Sequence, residues 1–142
     1  MDPTCQAVHL PWNALVGQGL LAYGLQTDAA RLTARLMSAV IQNLKKQHAF
    51  FRAYHAETGV GMGERNPLHG FAPLGLFLET LGVVIHSPTI LTLTGKNPFP
   101  WPVTVKYRGL TVTRQAEQTV VVFPDGQTLT LDDPTDALVS AG

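Results

Sequence analysis

Charge is what this 142-residue chain has least of: only 14% of its residues are Asp, Glu, Lys or Arg, and the ten bases cancel the ten acids. Soluble domains carry about 25% charged residues. With 45% hydrophobic residues, the chain is the opposite of a disordered tail, which is apolar-poor and highly charged. Its bases are scattered, without the excess or stripe of a nucleic-acid binder, so no nucleic-acid partner is expected. No apolar run approaches the roughly 20 residues that span a bilayer, and no membrane partner is expected either. The start, Met-Asp-Pro-Thr-Cys, lacks the basic segment and apolar core of a signal peptide, which implies a cytoplasmic protein. A single cysteine, Cys5, excludes an internal disulfide. A neutral chain with so few surface charges tends to associate, so self-association is expected.

What is present divides into a helical half and a strand half, with the change near Gly82. After Pro11, the residues Trp12, Ala14, Leu15, Val16, Leu20, Leu21 and Tyr23 predict a helix with almost no polar face, ended by Gly24. Thr27 as N-cap and Asp28 in the first turn open a second helix. Leu32, Leu36, Val40 and Leu44 form its apolar stripe, and Arg31, Arg35, Gln42, Lys45 and Lys46 its wet side. This helix is expected to run on to between His48 and Tyr54, with Thr58-Gly59 ending it. The short Leu25-Gln26 connection makes the two helices antiparallel neighbours. Residues 57–70 read as a glycine-rich loop, and a third helix over 73–81 is closed by Gly82.

Beyond Gly82 the period becomes two. Strands are predicted at 90–94, 103–107, 110–113, 119–123 and 128–131, with hairpin turns at Arg108-Gly109 and Pro124-Asp125-Gly126. The prediction is therefore an α+β fold of about three N-terminal helices followed by a small antiparallel β meander. Its parts are an irregular N-terminus (1–9), a helical part (10–82), the meander (83–133) and a frayed tail (134–142).

Few constellations could carry chemistry. Gly59-Val60-Gly61-Met62-Gly63 follows a helix and lacks the spacing of a dinucleotide or phosphate loop, so no cofactor is expected. His48 and His55 would share a helical face, with His69 on the next loop. They lack the close spacing of a zinc site and Cys5 is remote, so no metal is expected. Glu57 and Glu64 flank the glycine loop and are the candidate catalytic carboxylates. A glycosidase needs two such groups facing each other across a bond, which one loop provides poorly. Trp12, Tyr54, His55, His69 and Trp101 are the candidate ligand-binding side chains, the aromatic ones as stacking surfaces for sugar rings.

The segment Tyr54-His55-Ala56-Glu57-Thr58-Gly59, within Phe51 through Gly82, resembles the C-terminal end of the catalytic domain in (α/α)6-barrel glycoside hydrolases of the family 63 type. These enzymes carry E-x-Y-x-P-x-T-G-x-G before a final barrel helix. Pro11-Trp12-Asn13-Ala14-Leu15-Val16 and Gly19-Leu20-Leu21-Tyr23-Gly24 are similar to the segment after their Gly-Pro-Val-Trp motif. The stretch Asn97-Pro98-Phe99-Pro100-Trp101-Pro102 and the strands around it look like the β appendage after such barrels. The resemblance implies a detached piece of a barrel of about twelve helices. It places Arg52 where the family has its catalytic-base Glu, and no residue here corresponds to the family's catalytic Asp. A permanent cation cannot accept a proton from water. The implied function is thus a non-catalytic, self-associating remnant, a homo-oligomer through helices 12–24 and 73–81 that binds a carbohydrate or other ligand. The alternatives are a glycosidase active only as an oligomer, with Glu57, Glu64, His55 and His69 of adjacent chains, and a protein-interaction module using a strand edge.

Overall fold

The computed structural model describes residues 6–142; Cys5 lies outside them. The described residues form two compact units, one up to Phe77 and one from Leu78 to Gly142. Together they give the expected α+β order of three helices and antiparallel strands, the strands arranged in three sheets.

In the first unit, strand β1 (Ala7–Val8) leads directly into helix α1 (Leu10–Ala22). Helix α1 starts before Pro11 because proline, lacking an N–H, fits the first helical turn. Gly24, at φ +74°, stops it. Its amide and that of Leu25 bond back to Leu21 and Leu20 carbonyls at 3.0 and 2.9 Å. Leu25 thereby becomes the N-cap of α2 (Gln26–Gln47), and Thr27, expected as the cap, lies inside the helix. Asp28 in the first turn and Lys45 and Lys46 in the last complement the helix dipole.

Helix α2 ends sooner than its periodicity suggests. His48 takes a left-handed conformation (φ 52°), and Phe51–His55 become strand β2 instead of further helix. His48 and His55 therefore share no helical face. The expected glycine loop is also partly a strand: β3 (Gly61–Arg65) pairs antiparallel with β2, which itself pairs with β1. Gly61 is required there, since a Cβ would overlap the Phe51 ring. The apolar stripe of α2 supplies Leu36 and Val40 to a core completed by Leu10, Ala49, Phe51 and Tyr54.

Asn43, 2% exposed, locks this hairpin to α2. Its Nδ2 donates to the Ala39 and Gly59 carbonyls at 2.7 Å each. Its Oδ1 accepts from the Gly61 amide at 2.9 Å and from Gln47 Nε2 at 3.0 Å.

Helix α3 (Leu74–Leu81) carries the chain into the second unit, and Gly82 at φ +71° closes it as expected. There, β4 (Val83–Ser87), β5 (Ile90–Leu93) and β10 (Ala137–Ser140) form one sheet. Strands β6 (Val103–Tyr107), β7 (Leu110–Arg114), β8 (Gln118–Val122) and β9 (Thr128–Asp132) form a four-stranded meander. The tail does not fray: Ala137–Ser140 pairs along Ile90–Leu93, placing Val139 opposite Leu91 in the core.

The centre of this unit is a buried ion pair. Arg114 Nη2 and Asp133 Oδ1 are 3.1 Å apart, with both side chains fully buried. The remaining guanidinium donors reach Thr119 Oγ1 and the carbonyls of Leu81, Gly82, Thr94 and Gly95, while Thr119 donates to Asp133 Oδ2. Buried charge is tolerable only when paired and hydrogen-bonded in this way. The Leu81 carbonyl is one that the end of α3 leaves without a helical partner.

Candidate functional site

Two recesses, both within the first unit, collect most of the side chains singled out from sequence. The larger, about 400 Å³, lies between α2 and the turn after β2. Val8, Leu10, Leu32, Leu36 and Ala39 give it an apolar floor; Asn13, Arg35, Ser38, Gln42, His55, Glu57 and Thr58 supply polar groups. Arg35 Nη2 donates to the Ala56 carbonyl at 3.2 Å, fixing the turn against the helix.

His55 is held in one tautomer. Its Nδ1 accepts from the Glu57 and Thr58 amides, both at 3.3 Å, so the proton sits on Nε2 and is donated to Gln6 Oε1 at 2.9 Å. Both ring nitrogens are thus engaged, leaving no lone pair to accept a proton from a substrate. Tyr54 also lines this recess but is 2% exposed, and its hydroxyl accepts from the Phe51 amide at 3.2 Å. Its ring is core, not a stacking platform. Burial raises its phenol above the usual value, outweighing the opposite effect of the Phe51 hydrogen bond.

The smaller recess, about 340 Å³, is lined by His9, Pro11, Trp12, Arg52 and His69. Arg52 alternates with Phe51 and Ala53 along β2, so its side chain leaves the core and is exposed.

The two candidate carboxylates do not meet. Glu57 is exposed at the larger recess, whereas Glu64 is exposed on β3 and lines neither recess. Among the described residues Glu57 is the only carboxylate on either lining, so neither recess holds the facing pair that a glycosidase needs. Trp101 lies in the second unit, stacked on Phe99 with ring centroids 5.8 Å apart and about half exposed. Among the described residues no cluster of His, Cys, Asp or Glu could hold a metal, and no helix is long and apolar enough to cross a membrane.

Sequence reasoning missed Asn43, Gln6, His9 and Arg35. Three of them act through partners distant along the chain: Gln6 is 49 positions from His55, Arg35 is 21 from Ala56 and Asn43 is 18 from Gly61, while His9 reaches its recess only through the fold. No local pattern announces such pairs. Comparison with family models, with curated proteins and with solved structures gives no match for this chain.

Proposed function

We propose that this chain is a cytoplasmic, non-catalytic, self-associating module related to the end of a glycoside hydrolase barrel, holding a carbohydrate in its larger recess. The observation that carries the reading is the outer stripe of α1. Trp12, Leu15, Val16 and Tyr23 recur at helical spacing and are 70%, 58%, 57% and 87% exposed. Leu10 and Gly17 lie on the opposite side of the helix and are buried, Gly17 against Leu76. Covering apolar surface contributes roughly 25 cal/mol per Å². A second copy is the natural cover. The stripe is uncharged and can be self-complementary across a two-fold axis. Gly19 lies in its middle with open space around it, so two helices can approach closely there. The third helix adds Leu74, 59% exposed, whereas its Leu76 and Leu81 are buried.

The support for binding without turnover is chemical: an apolar floor, hydrogen-bonding groups at the sides, an engaged imidazole and one carboxylate. The test is sedimentation equilibrium at micromolar concentration. The reading expects a dimer or larger species that becomes monomeric in the Leu15→Glu, Val16→Glu double variant. A monodisperse monomer in the unaltered chain contradicts it. Turnover of aryl glycosides, lost in Glu57→Gln, would overturn the non-catalytic part.

A further inference from the structure

The smaller recess joins residues from three separate stretches of chain. His9 is the N-cap of α1, Pro11 and Trp12 form its first turn, Arg52 comes from the middle strand β2, and His69 from the loop after β3. The ionisable side chains on this wall are one guanidinium and two imidazoles; no carboxylate lines it among the described residues. Nor, among the described residues, is Arg52 held in an ion pair or side-chain hydrogen bond, or either imidazole hydrogen-bonded. The first turn of α1 carries no acidic residue and its N-cap makes no side-chain bond, so the local backbone adds potential of the same sign.

The sheet is irregular beside Arg52. The β2–β3 register is regular except between Phe51 and Ala53, where β3 is irregular opposite Arg52. Gly63, at φ +79°, and Glu64 together occupy that irregularity; a Cβ at Gly63 would make only ordinary contact with the Arg52 stem, so its positive φ is what calls for glycine. Bulges commonly re-aim a side chain. Arg52 is exposed and the core draws nothing from it.

We propose that this recess binds a small oxyanion borne on a ring, with Arg52 gripping the anion between His9 and His69 and the ring laid against Trp12. A guanidinium offers a planar fork that matches the oxygens of phosphate or carboxylate. Trp12, 70% exposed, presents an open indole face beside it. The site is separate from the larger recess and needs no carbohydrate there, but it shares Trp12 with the α1 stripe, so its ligand and a second copy would compete for that indole.

The experiment is a fluorescence titration of the 142-residue Trp101→Phe chain, in which Trp12 is the sole indole, at fixed ionic strength. The probes are inorganic phosphate, glucose 6-phosphate, glucuronate and, as the neutral control, glucose. Light scattering on the same samples separates occupancy from association, because Trp12 also heads the α1 stripe. The expected result is a saturable change with phosphate, tighter with glucose 6-phosphate, and none with glucose. Glucuronate against glucose 6-phosphate then shows whether carboxylate or phosphate is preferred. Arg52→Gln should weaken binding about tenfold or more. Should that variant fail to fold, His69→Gln must weaken binding instead. Equal responses to glucose and glucose 6-phosphate, no saturation, or anion binding unchanged in both variants would overturn the proposal.

Discussion

Replacing Arg114 by Met removes every donor of the guanidinium while keeping most of the stem volume. What remains is the Asp133 carboxylate, fully buried, with Thr119 as its hydrogen-bonding side chain. The Leu81, Thr94 and Gly95 carbonyls lose the same donor group. Removing one partner of a buried ion pair typically costs about 3–5 kcal/mol, because the other charge stays desolvated. A unit of roughly 65 residues has only about 3–10 kcal/mol of stability at about 0.05–0.15 kcal/mol per residue. The loss is therefore comparable to the whole. Trp101 lies in this unit, so urea unfolding of a Trp12→Phe background, followed by its fluorescence, is the assay. The Arg114→Met midpoint should collapse toward zero denaturant. Adding Asp133→Leu and Thr119→Val should restore much of the stability, since an apolar triad leaves no uncompensated charge. An Arg114→Met midpoint equal to that of the unaltered protein would refute the assignment of Arg114 as the centre of this unit.

Two further perturbations probe the first unit. Asn43→Ala strands the Gly61 amide and the Gly59 carbonyl, and should cost about 2–3 kcal/mol in urea unfolding followed by Trp12 fluorescence. Faster amide exchange at Gly61 would localise the loss. The Tyr54 phenol, raised by burial, favours the neutral folded form. With the folded value above the unfolded one, that contribution is complete below the unfolded value near 10.0 and is lost as pH rises through the folded value. Urea midpoints of this unit should fall above about pH 10, and Tyr54→Phe should flatten the fall; an equally steep fall in Tyr54→Phe would assign it to other groups.

Where residues act on near neighbours, the sequence was a good guide. The four-residue spacing from Leu32 to Leu44 marks the face of α2, from which Leu36 and Val40 enter the core. Gly24 and Gly82 stop helices because only a residue without Cβ adopts positive φ cheaply. Turns at Arg108-Gly109 and Pro124-Asp125-Gly126 set the meander. The failures have equally physical causes. His48 ends α2 in a left-handed conformation that glycine would have announced and histidine does not. Strand β2 then inherits an aromatic-rich segment that extends the helical pattern, and its partner β3 is disguised by two glycines, Gly61 and Gly63. Strand β10 follows a polar, proline-containing stretch and is fixed by pairing with residues more than forty positions away.

The candidate site follows the same division. Tyr54, His55 and Glu57 could be found from one short segment, and all three line the larger recess. Their roles could not be read there, because the Tyr54 ring turns inward and Gln6 and two backbone amides occupy His55. Trp12, Arg52 and His69 come together only through the fold, when β1 hands the chain to α1 beside β2. The scarcity of charge also finds its place: α1, residues 10–22, carries neither acid nor base and exposes four large apolar side chains along or just beyond it.

Self-association through that stripe is the central claim, and sedimentation equilibrium across micromolar concentrations tests it most directly. The account predicts a mass at least twice 15.3 kDa, falling to the monomer value when Leu15 and Val16 are replaced by Glu. A single 15.3 kDa species at every concentration would contradict it.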